Sequence, residues 1–231
     1  DADASWLNPI HGANVSGNLP KDIGLEAVTI DGENQNNLTT IWHHWNENRI
    51  YSDGDHYSTQ NGLLSLEAET AMRIIPGESP IWDISNVDQN YSGTGYMSTV
   101  DDGFDSGNLT TGSRMSWEIE FDTVGTYWVW VRMQQHDAQG SGLHLGMNGQ
   151  ITPSSSEGLF TNSSGWNWIG GSENGTQMSL NVTTLGRHTF DIWVKESGVD
   201  IDRIEFTMNQ NWTHHAGSPN NYPLPSPIWE D

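Results

Sequence analysis

The chain has 231 residues, a formal net charge of −22, no cysteine and 12 tryptophans. Without cysteine there is no disulfide framework and no thiolate metal site; with lysine only at Lys21 and Lys195 and six arginines, the basic face that nucleic acid requires is missing. No apolar run reaches the roughly 18 residues of a spanning helix, and the length suffices to bury a core without staples.

Residues 1–60 are rich in Asn, Asp and Gly. Leu25–Ile30 is the best strand candidate there, and Trp42–Asn46 suits a short helical turn or an edge segment. This part is expected to be an extension, or the tail of a preceding domain.

From Leu63 onward, short strand signals alternate with turn clusters of Gly, Asn, Ser and Asp. They run through Leu63–Glu69, Gly95–Val100, Arg114–Phe121, Gly125–Met133, Leu143–Asn148, Met178–Val182, Arg187–Glu196 and Ile201–Thr207. In Arg114–Phe121, Met115, Trp117, Ile119 and Phe121 share one face, opposite Ser116, Glu118 and Glu120, which marks a strand with one buried side. After a tight turn at Thr123-Val124-Gly125, the next stretch is apolar in both phases: Tyr127, Val129, Val131 and Met133 in one, Trp128 and Trp130 in the other. Such a strand belongs inside a sheet, covered on both faces. The pattern predicts an all-β antiparallel sandwich of jelly-roll type over residues 61–210. Residues 211–231, with four prolines, read as a tail that Trp212, Tyr222 and Trp229 could partly order.

Three motifs fall in a fixed order: Leu66-Glu67-Ala68-Glu69, then Tyr91-Ser-Gly-Thr-Gly-Tyr96, then Gly198-Val-Asp-Ile-Asp-Arg-Ile204. Between the last two stand Gly125–Arg132 (G-x-Y-x-V-x-V-R), the Asn148-Gly149 turn, a Trp-rich loop and Leu185–Thr189. From about Leu63 to Thr207 this order resembles the jelly-roll carbohydrate-binding modules of families 6 and 35, which have a galactose-binding-like fold. It is also similar to the C-terminal domain of family 115 glycoside hydrolases. The resemblance implies a module that binds a polysaccharide or oligosaccharide without catalysing a reaction, attached to a glycoside hydrolase or lyase. It further implies a monomer, secreted or at the cell surface, with structural calcium.

By the same resemblance, Glu67, Glu69 and Asp202 hold the ion, with Asp200 as a competing third carboxylate. Residues 67 and 69 lie two apart, so on a strand they would share a face, and carboxylates are the hard oxygen donors calcium takes. For the sugar site, a flat aromatic ring suits the C–H face of a pyranose, and amides or carboxylates suit its hydroxyls. The resemblance points to Trp166 or Trp168, with one of the two expected to face out, to Tyr96 with Tyr91 beside it, and to Asn209 just past the closing strand. Trp82, His136 and Trp212 are candidates for the same rim. Trp117, Trp128, Trp130 and Trp193 are expected to pack in or between the sheets.

Two other readings stay open, a catalytic fragment and a surface adhesion domain. A glycosidase needs two carboxylates across the scissile bond, and among 30 acidic residues some pair always looks suitable. No serine elbow, HExxH motif or Gly-rich phosphate loop occurs. The pairs His43-His44 and His214-His215 are adjacent, so their side chains diverge.

Overall fold

The computed structural model describes residues 54–107, 110–135, 141–156, 158–161, 163–172, 174–212 and 225–229. The chain divides into two units, Asp1–Asp53 and Gly54–Asp231. The first lies outside the described residues, with both of its candidate segments, and so does His136.

The second unit is an all-β sandwich. One sheet runs in the order β10 (Leu159–Thr161), β8 (Ser141–Met147), β13 (Gly186–Glu196), β6 (Arg114–Phe121), β1 (His56–Ser58), β15 (Ile228–Trp229). In it, β3 (Arg73–Ile75) also pairs with β6 and β9 (Gln150–Ile151) with β8. The other sheet runs β11 (Asn167–Ile169), β7 (Gly125–Gln135), β14 (Val199–Thr207), β5 (Tyr96–Ser98), β4 (Asp83–Ser85). There β12 (Ser179–Val182) also pairs with β7, and β2 (Leu63–Glu67) with β14. Among the described residues, every strand pairing is antiparallel except β1 with β6.

β6 and β7 form where the alternation places them, but they do not pair with each other. The turn between them carries the chain from one sheet to the other, so their apolar faces meet across the core. Phe121 and Tyr127 touch there edge to face at 4.9 Å. Gly125 makes the crossing with φ of +145°, and a Cβ at that position would lie 2.7 Å from Met208 Cε. β7 does lie inside its sheet, but its outer phase is only partly covered: Trp128 and Trp130 are half-buried, whereas Trp117 and Trp193 are buried.

β14 contains a bulge. Against consecutive residues of β7, Met133 and Arg132, it sets Ile201 and Arg203, leaving Asp202 as the extra residue. The phase therefore flips: Val199 and Ile201 face the core before the bulge, Ile204 and Phe206 after it. Asp202 and Arg203 are thereby both released from the core-facing phase.

The sandwich also reaches beyond the expected limits of 61–210. His56–Ser58, assigned from sequence to the extension, pairs with β6, and Ile228–Trp229, assigned to the tail, pairs with β1. Ser226 further exchanges hydrogen bonds with Ser65: its N–H donates to the Ser65 carbonyl at 2.8 Å, and its hydroxyl accepts from the Ser65 N–H at 3.2 Å.

At the centre of the core, Phe190 lies 4.7 Å from Phe206 and 5.7 Å from Trp117, joining the two sheets. Phe190→Ala should lower unfolding free energy by about 3–5 kcal/mol, measured by urea unfolding. A loss below about 1 kcal/mol would contradict this packing.

Candidate functional site

Two groups of side chains, one acidic and one aromatic, meet at the loop between β4 and β5. On β2, Leu64 and Leu66 are buried in the core, which sends Ser65 and Glu67 to the outer face. The chain then leaves the strand for a single 3-10 turn, Ala68–Thr70. Glu69 is therefore not on the strand face expected for it, yet its carboxylate reaches the same cluster from the turn.

Ser92 is the junction. Its hydroxyl donates to Glu67 Oε2 at 2.6 Å and lies 3.2 Å from both oxygens of Asp202, and its N–H donates to Asp202 Oδ1 at 2.6 Å. Two guanidiniums close the cluster: Arg203 pairs with Glu67 Oε1 at 2.9 Å and Arg132 with Asp202. Glu69 Oε1 accepts from the Thr94 N–H at 2.8 Å, while its Oε2 is buried without a hydrogen-bond partner. Gly93 (φ +68°) allows this approach, since a Cβ there would lie 2.2 Å from Glu69 Oε1.

Burial raises the proton affinity of all three carboxyls, against the pull of the arginines on Glu67 and Asp202. Glu69 has no such cation among its leading causes. Burial first, and then the Glu67 charge, push it up to about 8.

The all-oxygen donor set and the orphaned Glu69 Oε2 suit a hard cation in chemistry. In geometry, no three acidic or imidazole groups among the described residues are gathered as an ion-binding cluster. Asp200, the competing carboxylate, instead receives the Gln134 side-chain amide at 3.1 Å.

The aromatic group is built on the same loop. Tyr96 opens β5 with its ring 5.6 Å from Tyr91 and 5.2 Å, edge-on, from Trp166. The Trp166 ring lies over the Arg132 guanidinium at 5.2 Å, and its indole N–H donates to the Gln89 carbonyl at 3.0 Å. The Tyr96 hydroxyl donates to Asp88 Oδ2 at 3.1 Å and receives the Ser85 hydroxyl at 2.9 Å; the Gln134 amide reaches the same Asp88 oxygen at 2.7 Å. Burial is the leading cause that raises the Tyr96 phenol. Tyr91 and Trp166 are half-buried, while Tyr96, 3% exposed, forms the floor beneath them.

Of the residues expected at the sugar site, the structure brings Tyr91, Tyr96 and Trp166 together. Trp168 sits opposite Arg132 in the β11–β7 register, on the outer face of the sheet. Both tryptophans are half-buried; Trp166 precedes β11 and Trp168 lies within it. Trp82 is not a rim residue. It is fully buried in the core and donates its indole N–H to the Ser113 carbonyl at 3.2 Å.

Asn209 is exposed in a turn past the far end of β14, where its carbonyl accepts the Trp212 N–H at 3.0 Å. Seven residues of extended chain, roughly 20 Å, separate it from Asp202. Trp212 is at that end too, bonded to Glu205 at 2.8 Å. Sequence reasoning missed Arg132, Asp88 and Gln134. For Arg132 and Gln134 the available signal is their outward phase on β7; Asp88 carries none.

No family model matches the sequence. An uncharacterised protein, P23, of Formosa agariphila is 27% identical over 115 residues, covering 46% of this chain and 28% of the relative, so the chain spans under a third of that protein's length. Among solved structures, the chain is similar to a GH26-CBM35 β-(1,4)-mannanase of Podospora anserina (TM-score 0.45, 19% identity, 68% of this chain and 30% of that one). It is similar to a family 35 carbohydrate-binding module of Clostridium thermocellum (0.45, 17%, 62% and 96%). A further match is the module CBM6cm-2 of Cellvibrio mixtus lichenase 5A in complex with cellotriose (0.40, 15%, 64% and 99%). The sandwich assignment rests on the strand pairing described above. The similarity to family 115 glycoside hydrolases rests on the sequence motifs alone.

The Glu69 environment predicts a pH effect in chelator. A carboxyl raised from 4.5 to about 8 in the fold binds a proton that the unfolded chain releases. Its stabilisation is complete below about pH 4.5 and is lost as pH rises through about 8. Urea unfolding in excess chelator should show stability falling between these values, by at most about 1.4 kcal/mol per pH unit. Glu69→Gln should flatten that slope; equal slopes in the two proteins would contradict the assignment.

Proposed function

We propose that this chain is a non-catalytic carbohydrate-binding module that holds a polysaccharide at the Tyr91–Tyr96–Trp166 rim, and that acts outside the cell. The observation that carries the reading is the meeting of these three rings. They come from one loop and from a separate segment about 70 residues further on. None of the three belongs to the cluster in which Phe121, Phe190, Phe206 and Trp117 pack between the sheets, and Tyr91 and Trp166 are only half-buried.

A partly exposed indole beside a phenol offers the C–H face of a pyranose a flat apolar contact. Carboxylate and amide groups at the same place can receive and donate hydrogen bonds to its hydroxyls. Tethered to a glycoside hydrolase or lyase, such a module would raise the enzyme's local concentration on the polymer.

Structural calcium is the second part of the proposal. Glu67, Glu69 and Asp202 would hold it, with Glu69 Oε2 supplying the buried oxygen that lacks a partner. The ion would neutralise buried carboxylates and fix the Ser92–Thr94 loop that carries the aromatic rim.

Affinity electrophoresis against a panel of soluble polysaccharides tests the site. At least one polymer should retard the protein, and Trp166→Ala should weaken that binding about tenfold or more, the loss of one well-stacked ring. Asn209→Ala, remote from the rim, should leave retardation unchanged. Retention that survives Trp166→Ala would contradict the site. The ion is tested by melting the protein with calcium and with excess chelator: chelation should lower the Tm and calcium restore it, and identical curves would contradict calcium binding.

A further inference from the structure

The charge around the aromatic rim carries an inference about the ligand that deepens, and rests on, the carbohydrate reading. Asp88 is the carboxylate hydrogen-bonded to the Tyr96 hydroxyl. Its Oδ2 lies 3.1 Å from the Tyr96 hydroxyl and 2.7 Å from the Gln134 amide, which also contacts Asp200 at 3.1 Å. One side-chain amide thus bridges two carboxylates behind the floor of the site. Below them, the loop that carries Tyr91 and Tyr96 is fastened to Glu67, Glu69 and Asp202 through Ser92 and Thr94.

Against these five carboxylates stand two guanidiniums, Arg132 and Arg203, each already in an ion pair with one of them. Arg132 also lies under the Trp166 ring, and no other basic side chain among the described residues is in contact with the aromatic group. The proposed calcium would not reverse this balance, since with all five carboxylates ionised around it the two added positive charges leave the set negative by one.

We propose that this site takes uncharged glycans and rejects polyuronates, with Asp88 as the specificity-determining residue. A neutral sugar presents hydroxyls, which can donate charge-assisted hydrogen bonds to a carboxylate. A uronate brings a further negative charge into a field of the same sign, where both guanidiniums are already held in ion pairs. The same balance separates this reading from one in which the ion bridges protein and ligand: a bridging ion would make uronates the preferred class and make their binding calcium-dependent.

Isothermal titration calorimetry on the full chain decides it. The probes are cello-, xylo-, manno- and laminari-hexasaccharides set against oligogalacturonate and oligoalginate of the same length. Titrations are run at low and high salt, with calcium and with chelator. The best neutral ligand should bind at least about tenfold more tightly than either uronate at low salt, and the gap should narrow at high salt as the field is screened.

Asp88→Asn keeps an acceptor for Gln134 and Tyr96 and removes the charge, so uronate affinity should rise and the gap shrink. Asp200→Asn, checked by its melting curve, provides a second variant if Asp88→Asn fails to fold. Uronates that bind as tightly as the best neutral ligand, or a gap unchanged in both variants, would overturn the specificity proposal while leaving the sugar site standing. If no probe of either class binds, the carbohydrate reading itself falls, and this proposal with it.

Discussion

The Arg132–Asp202 ion pair is the contact on which the site depends. Arg132 belongs to β7 and Asp202 to the bulge of β14, so the pair links the two central strands of one sheet. From one end it supports the Trp166 ring; from the other it holds the loop through the Ser92 N–H. Both groups are almost wholly buried. A buried pair of this kind adds little net stability over an apolar substitute, whereas removing one partner leaves an uncompensated charge and costs about 3–5 kcal/mol. Its use here is positional: it fixes the aromatic rim and the acidic cluster relative to each other.

The bulge makes that pair possible. In a regular strand Asp202 would alternate with Arg203, one facing the core and one facing outward. With one residue inserted, Asp202 meets Ser92 and Arg132, while Arg203 reaches Glu67 from β2. The interruption is visible in the sequence, where Val199 and Ile201 are followed by Ile204 and Phe206, a spacing of two broken once by three. The buried charges of this cluster therefore sit where the β14–β7 ladder leaves its register, and there Asp202 pairs with Arg132 and Arg203 with Glu67.

How legible a feature was depended on how far its cause lay along the chain. Alternation is local, so the long strands and their buried faces could be read directly, as could the outward phase of Glu67. β1 and β15 are three and two residues long, too short for a period; β1 forms along β6, and β15 along β1. Trp82 stands in a stretch with the composition of a loop, and its place in the core, with the distant Ser113 carbonyl accepting its indole N–H, is set by contacts far along the chain. Asn209 follows the closing strand in sequence, but the direction of that strand carries it away from the rings. The Tyr91–Tyr96–Trp166 grouping came from resemblance; residue spacing alone could not have joined positions so far apart.

A glycan held at these three rings, as proposed, would change the surroundings of the Trp166 indole. The most direct measurement is a two-dimensional NMR titration that follows the tryptophan indole N–H signals as a retained oligosaccharide is added. The Trp166 signal should move with ligand concentration while that of the core residue Trp82 stays fixed. Saturable binding that leaves Trp166 unmoved and shifts the indoles of Trp128 or Trp130 instead would contradict the proposed site.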